Sequence, residues 1–526
     1  MRAPWVAAGG ALLLYLPTLA PGLTWRAGGD DAGDLITAAW QVGIPHPTGY
    51  PLYILLARLL LTLPLGEPAW RTNLLSALAA AAAAGLVAWA VRDAARRTRG
   101  EDNPAATVVG IFAGVTLAAT PLLWSQATIT EVYSLLAAFT AALIIAARRA
   151  AARLRAGQPS GPALVALAFG SGLALTHHTS IAVVLLALWG YVAWTWLDIL
   201  VPSAVAPGPF LQQGAGPLVE REPGRVWRPL GAFALGLLPL LMLPLRAGAA
   251  AMTDWHHPNT WPGFWALISG ADYRYLLFHD PPAAMLARAA TLLGMLTVGA
   301  FGPTVVLVGT GWWRAWQTDR PWAVCGGLAV AANVAFVGVY AAENTLVYGL
   351  ATLPILAVLL GEGATAFWRR TGPAVAQRVL VGLLLVCLAL GAASWAALRA
   401  GDQNATGQEH AGVFLHHMET ALPPNTLLVT SADRETFSLW YDGLVAGRRP
   451  DLLAVDVRLL DAPWFRDNLR AHEPALGVGL PPGGDFAAFT AHAVTGRPVC
   501  ALRDDLAGPP GWAWRRQPGD FWCLAP

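Results

Sequence analysis

Between Gly28 and Tyr53 the chain reads GGDDAGDLITAAWQVGIPHPTGYPLY, which sets Asp30, Asp31 and Asp34 just beyond the first apolar stretch. A carboxylate held beside apolar walls has its basicity tuned for proton transfer, so this segment is a natural place for a general base. Asp31 and Asp34 stand three positions apart, so on a helix both share one face, and mutual repulsion would raise the proton affinity of one of them. One could then take a proton from a hydroxyl while the other orients the acceptor. The same spacing also suits solvated loop acids or helix caps. The neighbouring turn argues for more: His46 lies between Pro45 and Pro47, and with Gly49 these residues fix a backbone that can aim the imidazole, or the Tyr50 and Tyr53 hydroxyls, toward the acids.

Further candidates lie far along the chain. Glu131, in WSQATITEVYS, and His177 and His178, in LTHHTS, fall at the ends of apolar segments, where ionisable groups serve a cavity, cap a helix or snorkel. Arg246, Arg274 and Arg58 break the placement of the other arginines described below. A guanidinium offers bidentate contacts to phosphate oxygens, and its ordinary alternative is a snorkelling or ion-paired arginine.

The elements that must position these groups are membrane helices. The chain has 526 residues, 56% hydrophobic and 13% charged, with a mean hydropathy of +0.49, which places it in a bilayer. Its formal charge of +2 makes no case for a nucleic-acid partner. Apolar stretches predict roughly eleven spans of about 20 residues. They lie near 5–23, 73–91, 106–123, 132–147, 161–175, 180–197, 230–245, 286–310, 322–340, 346–366 and 379–398. The basic residues, all arginine, gather after every second span: Arg92, Arg96, Arg97 and Arg99; Arg148, Arg149, Arg153 and Arg155; Arg225 and Arg228; Arg314 and Arg320; Arg369 and Arg370. By the positive-inside rule the N-terminus is then cytoplasmic, and the acidic loop at 24–72 and the C-terminal region face outward. Pro21 after a possible cleavage site argues for a retained first helix rather than a signal peptide.

Within the outward loop, YPLYILLARLLLTLPLG reads as a helix too short to cross, lying along the membrane surface. The outward segment from Arg246 to Pro282 carries Trp255, Trp261, Trp265, Tyr273 and Tyr275, a composition suited to headgroup-level anchors. Two domains follow: a membrane domain over 1–399, and over 400–526 a small soluble α/β domain, where NTLLVTSADRETFSLWYDGLVAGRRPDLLAVDVRLL predicts strand, helix, strand and GRPVCAL one more strand. Asp433, Glu435 and Asp442 there read as ordinary solvated helix charges. Cys325 and Cys387 fall inside spans, whereas Cys500 and Cys523 are free to pair on an oxidising side. No Cys/His spacing suggests a metal.

DDAGDLITAAWQVGIPHPTGYPLY, WSQATITEVYSL and GLALTHHTSI together resemble the membrane O-mannosyltransferases typified by the eukaryotic enzyme acting on plexin-type immunoglobulin-like domains, with its bacterial relatives. The specific part is an acid, small residue, Gly, acid run, here Asp31 to Asp34, followed by a HPPGYPLY-like turn, here His46 to Tyr53. Asp34 stands where many relatives have Glu, and Thr48 where Pro is common, which puts the division of roles between the acids in doubt. The resemblance implies a GT-C-like glycosyltransferase that takes sugar from a polyprenyl-phosphate carrier, needs no metal or other cofactor, and serves a protein or glycan acceptor outside the membrane. It makes Asp31 the catalytic acid with Asp34 its partner. His46, Tyr50, Tyr53, Glu131, His177, His178, Arg246 and Arg274 would then bind substrate, with the phosphate near Arg246 or a histidine. A transporter or lipid flippase is the rival reading; it should place ionisable groups near the bilayer midplane and often shows repeated halves, neither of which is visible here.

Overall fold

Prolines open many of the helices. Pro68, Pro104, Pro121, Pro282 and Pro373 each occupy a first helical position, where a fixed φ is helix-compatible and the missing N–H costs nothing. The structure is a computed structural model that describes residues 2–97, 104–200, 227–249, 252–404, 411–477, 485–518 and 521–526. Arg99 and Arg225 lie outside the described residues.

In chain order the helices are α1 (Arg2–Tyr15), α2 (Ala32–Gln41), α3 (Pro51–Leu61), α4 (Pro68–Arg97), α5 (Pro104–Ala118), α6 (Pro121–Ala127), α7 (Tyr133–Arg155), α8 (Gly161–His177) and α9 (Ala182–Leu200). They continue with α10 (Trp227–Gly236), α11 (Met242–Arg246), α12 (Trp261–Ile268), α13 (Pro282–Gly294), α14 (Val305–Thr318), α15 (Arg320–Val339), α16 (Leu353–Thr371) and α17 (Pro373–Asn404). Among the described residues six helical segments are long and apolar enough to cross a bilayer, and up to nine if each of three bent pairs counts as one span. The bends, 68° at α5–α6, 42° at α10–α11 and 49° just before α16, fall where proline or glycine interrupts an apolar run. The two remaining expected spans are helices of 14 residues (α1) and 17 residues (α8), short of the about 20 that a bilayer takes. Helix α3, 11 residues long, is too short to cross, as its sequence implies.

The long helices have unlike ends. At one end Arg148 pairs with Glu362, Arg149 with Asp93 at 3.3 Å, and Arg155 with Asp319 at 2.6 Å, tying α7 to α16, α4 and the α14–α15 junction. The opposite ends of α7, α9 and α15 carry Tyr133, Thr179 and Tyr340, which border one cavity. Polar anchors and cavity thus occupy opposite faces of the bundle.

The C-terminal part contains α18 (Ala411–Ala421), α19 (Asp433–Tyr441) and α20 (Pro463–His472) around a five-stranded sheet. The strands are β1 (Leu427–Thr430), β2 (Leu453–Asp456), β3 (Val499–Ala501), β4 (Ala513–Gln517) and β5 (Phe521–Ala525), in the order β2-β1-β3-β5-β4. β1 lies parallel to both β2 and β3, while β5 runs antiparallel to β3 and β4. Cys500 and Cys523 face each other across β3 and β5 and form a disulfide. The last two strands escape the sequence reading because β4, AWRRQ, is largely exposed and shows no apolar face.

This domain is seated on the first loop. Helix α19 crosses α2 so closely that a Cβ on Gly33 would lie 2.1 Å from the Phe437 carbonyl oxygen. Trp25 Nε1 donates to Ser438 Oγ at 2.9 Å, and Tyr441 donates from its hydroxyl to Glu67 at 2.6 Å. Asn468 of α20 donates to the carbonyls of Met252 and Asp254 at 3.3 and 3.1 Å, and Trp255 packs on Trp464 with centroids 4.4 Å apart. Trp255 is therefore buried at this seat instead of anchoring in headgroups. Gly33→Ala is expected to force α19 off α2 at a cost of about 1–3 kcal/mol, read as a lowered Tm in detergent; an unchanged Tm would contradict the close crossing.

Candidate active site

Asp31 immediately precedes α2 and Asp34 lies in its first turn, so the short DAGD spacing puts one carboxyl at the helix mouth and the other inside. Asp34 is fully buried. Its Oδ2 accepts from the backbone N–H of His46 at 2.8 Å and from His46 Nδ1 at 2.7 Å. The other imidazole nitrogen, Nε2, lies 3.6 Å from Asp31 Oδ2. His46 thus bridges the two acids, and the Asp31 side chain, 40% exposed, faces the cavity. The proline turn accomplishes this with Gly49 N–H closing on the His46 carbonyl at 2.9 Å and with Gly49 (φ 80°) and Tyr50 (φ 41°) in the left-handed region. Phe437 of α19 stacks on the imidazole at 6.4 Å and 13°, and Trp255 meets its edge at 6.4 Å.

These contacts set the charges. Burial pushes the Asp31 carboxyl up to about 6, with His46 pulling the other way. Burial opposes charge on His46, but the carboxylates of Asp31 and Asp34 outweigh it and raise the imidazole to about 9. At neutral pH an imidazolium on His46 therefore stands behind an Asp31 carboxylate that reaches the cavity. Burial, reinforced by Asp31, drives Glu131 in the cavity wall well above the usual carboxylate range.

The cavity has a volume of about 940 Å³. Of the residues singled out in the sequence, Asp31, His46, Tyr50, Glu131, His178 and Arg274 line it. Four others do not. Asp34 sits behind His46, buried and bonded to it, and does not reach the cavity. Tyr53, in the first turn of α3, is buried with its ring 6.2 Å from that of His177. His177 Nε2 lies 2.9 Å from the Val132 carbonyl, tying the end of α8 to the start of α7. Arg246, expected near a phosphate, instead donates from Nε to Val42 O at 2.8 Å and from a terminal nitrogen to Gln41 O at 3.1 Å, capping the C-terminus of α2. Its departure from the positive-inside pattern has this structural cause.

Sequence reasoning missed the wall supplied by the C-terminal domain. Ser431, Asp433, Arg434 and Arg458 line the same cavity. Asp433 is not a plain solvated helix charge: Arg458 pairs with it at 2.5 Å and with the buried Asp456 at 2.6 Å. Asp442, also read as solvated, is buried and pairs with Arg448 at 2.6 Å. Tyr273, read as a headgroup anchor, joins Tyr133, Tyr340 and Tyr348 in the aromatic lining, whereas Trp261 and Trp265 are exposed as anchors should be. Among the described residues no group of three or more His, Cys, Asp or Glu is placed to hold a metal ion.

Two of the segments that line the cavity match known proteins. The family model for the N-terminal domain of the protein O-mannosyl-transferase TMEM260 matches residues 31–197, beginning at Asp31, and the TMEM260-associated domain 2 matches residues 411–475. The mouse protein O-mannosyl-transferase TMEM260 is 25% identical over 477 residues, covering 86% of this chain and 62% of that protein. The chain is similar to the TMEM260 O-mannosyltransferase family in these segments. It spans 62% of the length of that mouse relative. Its fold is that of ArnT from Cupriavidus metallidurans: the crystal structure bound to undecaprenyl phosphate superposes with a TM-score of 0.62 at 16% identity, covering 100% of this chain and 98% of ArnT. The apo ArnT structure gives 0.58 at 16% identity, covering 99% and 97%. The chain is thus a polytopic helical membrane protein with an ArnT-like fold, and the TMEM260 match embraces both the acidic loop and the domain that closes over it. Asp34→Asn removes one of the two anions that hold the His46 proton, so the His46 titration followed by NMR is expected to move down by at least about one unit; an unmoved titration would contradict the bridge.

Proposed function

We propose that this protein is a membrane glycosyltransferase that moves a sugar, a hexose such as mannose, from a polyprenyl-phosphate carrier to an acceptor hydroxyl outside the cytoplasmic membrane. The observation that carries the reading is the Asp31 carboxylate, exposed only to a roomy cavity and held by an imidazolium whose other face is locked on Asp34. The TMEM260 relationship, the ArnT-like fold and the undecaprenyl phosphate in that ArnT crystal support a lipid-borne donor.

Asp31 acts as the general base. It takes the acceptor hydroxyl proton while the anomeric carbon gains oxocarbenium character and the carrier phosphate departs, so one displacement inverts the anomeric configuration. His46 touches Asp31 and holds its charge in place, Asp34 orients His46, and Glu131 hydrogen-bonds the sugar from the cavity wall. Cationic side chains in the wall, Arg274 among them, offset the leaving phosphate. The lipid tail lies among the membrane helices, and the acceptor, protein or glycan, arrives from the side of the C-terminal domain. The arginine-rich helix ends then face the cytoplasm and the cavity faces outward.

Asp31→Asn is expected to insert and bind carrier normally but to lose about 10²–10⁴ in single-turnover transfer, measured with radiolabelled donor lipid in membranes; full transfer would refute the assignment. Wild-type transfer should fall as pH drops through about 6, where Asp31 gains a proton, and again as pH rises through about 9, where His46 loses its charge. Transfer undiminished well below pH 6 would contradict the role of Asp31.

A further inference from the structure

We infer that the phosphate of the donor carrier is seated at the junction of α8 and α9, where His178 Nε2–H donates a hydrogen bond to it. The inference rests on the glycosyltransferase reading and names the part of the cavity that holds the leaving group.

Its basis is the chemistry of one imidazole. The backbone N–H of Ser180 lies 3.2 Å from His178 Nδ1, and the Ser180 hydroxyl lies 2.9 Å from the same nitrogen. An amide N–H can only donate, so Nδ1 must be the acceptor, and in the neutral ring the proton then belongs to Nε2. Nε2 is thereby a committed donor. It is buried, on a residue 4% exposed, and has no partner among the described residues. A buried donor left unmatched costs free energy, so native proteins seldom keep one except where a ligand supplies the acceptor.

The surroundings narrow the acceptor. His178 lines the cavity, and the rings of Tyr50, Tyr133 and Tyr348 stand 5.5, 5.6 and 5.6 Å from it, so the donor sits in an aromatic wall. Thr179, Ser180, Ala182 and Val183, the first residues of the 179–199 span, line the cavity beside it. The positive end of that helix therefore borders the same cavity, which favours an anion over a sugar hydroxyl there. This is also the wall built from membrane-spanning helices, where a group tethered to a long apolar tail can reach. Tyr50 separates the two ends of the site: its ring is 5.2 Å from His46 and 5.5 Å from His178, so a sugar bridging Asp31 and this seat spans one tyrosine. Phosphate at His178 and base at Asp31 then flank the anomeric carbon from opposite sides, as a single displacement requires.

The test is carrier binding to the purified full-length protein in detergent, using undecaprenyl phosphate, undecaprenol and inorganic phosphate as separate probes. His178→Phe keeps an aromatic ring but no donor; His178→Gln returns an N–H near the Nε2 position. The expected result is a loss of about ten- to a hundredfold in undecaprenyl phosphate affinity for His178→Phe, recovery in His178→Gln, no change for undecaprenol, and only weak binding of inorganic phosphate. Equal weakening for undecaprenol would mean that His178 merely packs, and would overturn the proposal. Inorganic phosphate bound as tightly as the lipid would overturn the carrier assignment. Unchanged undecaprenyl phosphate affinity in His178→Phe, with wild-type transfer intact, would overturn the seat alone, whereas absence of both carrier binding and transfer in the wild type would overturn the function and the seat together.

Discussion

The Asp34–His46 hydrogen bond is the constraint on which the rest of the site depends. A carboxylate fully removed from water is costly unless it is matched. Here one oxygen of Asp34 takes both the ring and the backbone donor of the same residue, at 2.7 and 2.8 Å. Helix α2 and the proline turn are therefore fastened as one body. Once His46 is fixed on that side, its far nitrogen fixes where a negative charge on Asp31 is best placed, and that place is the mouth of the cavity. The two acids of one short motif do unlike work because one is behind the imidazole and the other in front of it.

The same point organises the larger architecture. Phe437 covers His46 and Gly33 admits α19, so the C-terminal domain is keyed to the residues it helps enclose. The membrane helices contribute from below. Their arginine ends are tied by ion pairs on the opposite face, which leaves the cavity-side ends of α7, α9 and α15 to carry tyrosines, Glu131 and His178. Anchoring and chemistry are thus separated along the same helices, and the cavity acquires a lipid-side wall of apolar and aromatic groups and an aqueous-side wall of paired charges.

Much of this was legible in the residues because local chemistry recorded it. Asp31, Asp34 and His46 are close in sequence, and a turn made rigid by proline and glycine leaves few ways to place them. Glu131 and His178 were legible as polar groups at the ends of apolar runs, and Arg274 as an arginine out of step with the rest. What failed were inferences that needed contacts across the chain. Arg246 was read as a phosphate ligand because it broke the charge pattern, but its partners are carbonyls some two hundred positions earlier, at Gln41 and Val42. Asp433 looked solvated because its helix has a polar face, and nothing in that helix reports that its first residue borders the cavity and pairs with Arg458. The span count turned on α1 and α8, apolar enough but short, where proline and glycine rather than polarity set the length. Strand β4 hid for the opposite reason: paired only at the sheet edge, it carries no buried face to mark it.

The central claim is that an ionised Asp31 directs one displacement at the anomeric carbon. The configuration of the transferred sugar tests it most directly, read by NMR on product made from a donor lipid of defined anomeric form. Product of the opposite configuration is what this account predicts; product that keeps the donor's configuration would require a covalent or otherwise two-step route and would contradict it.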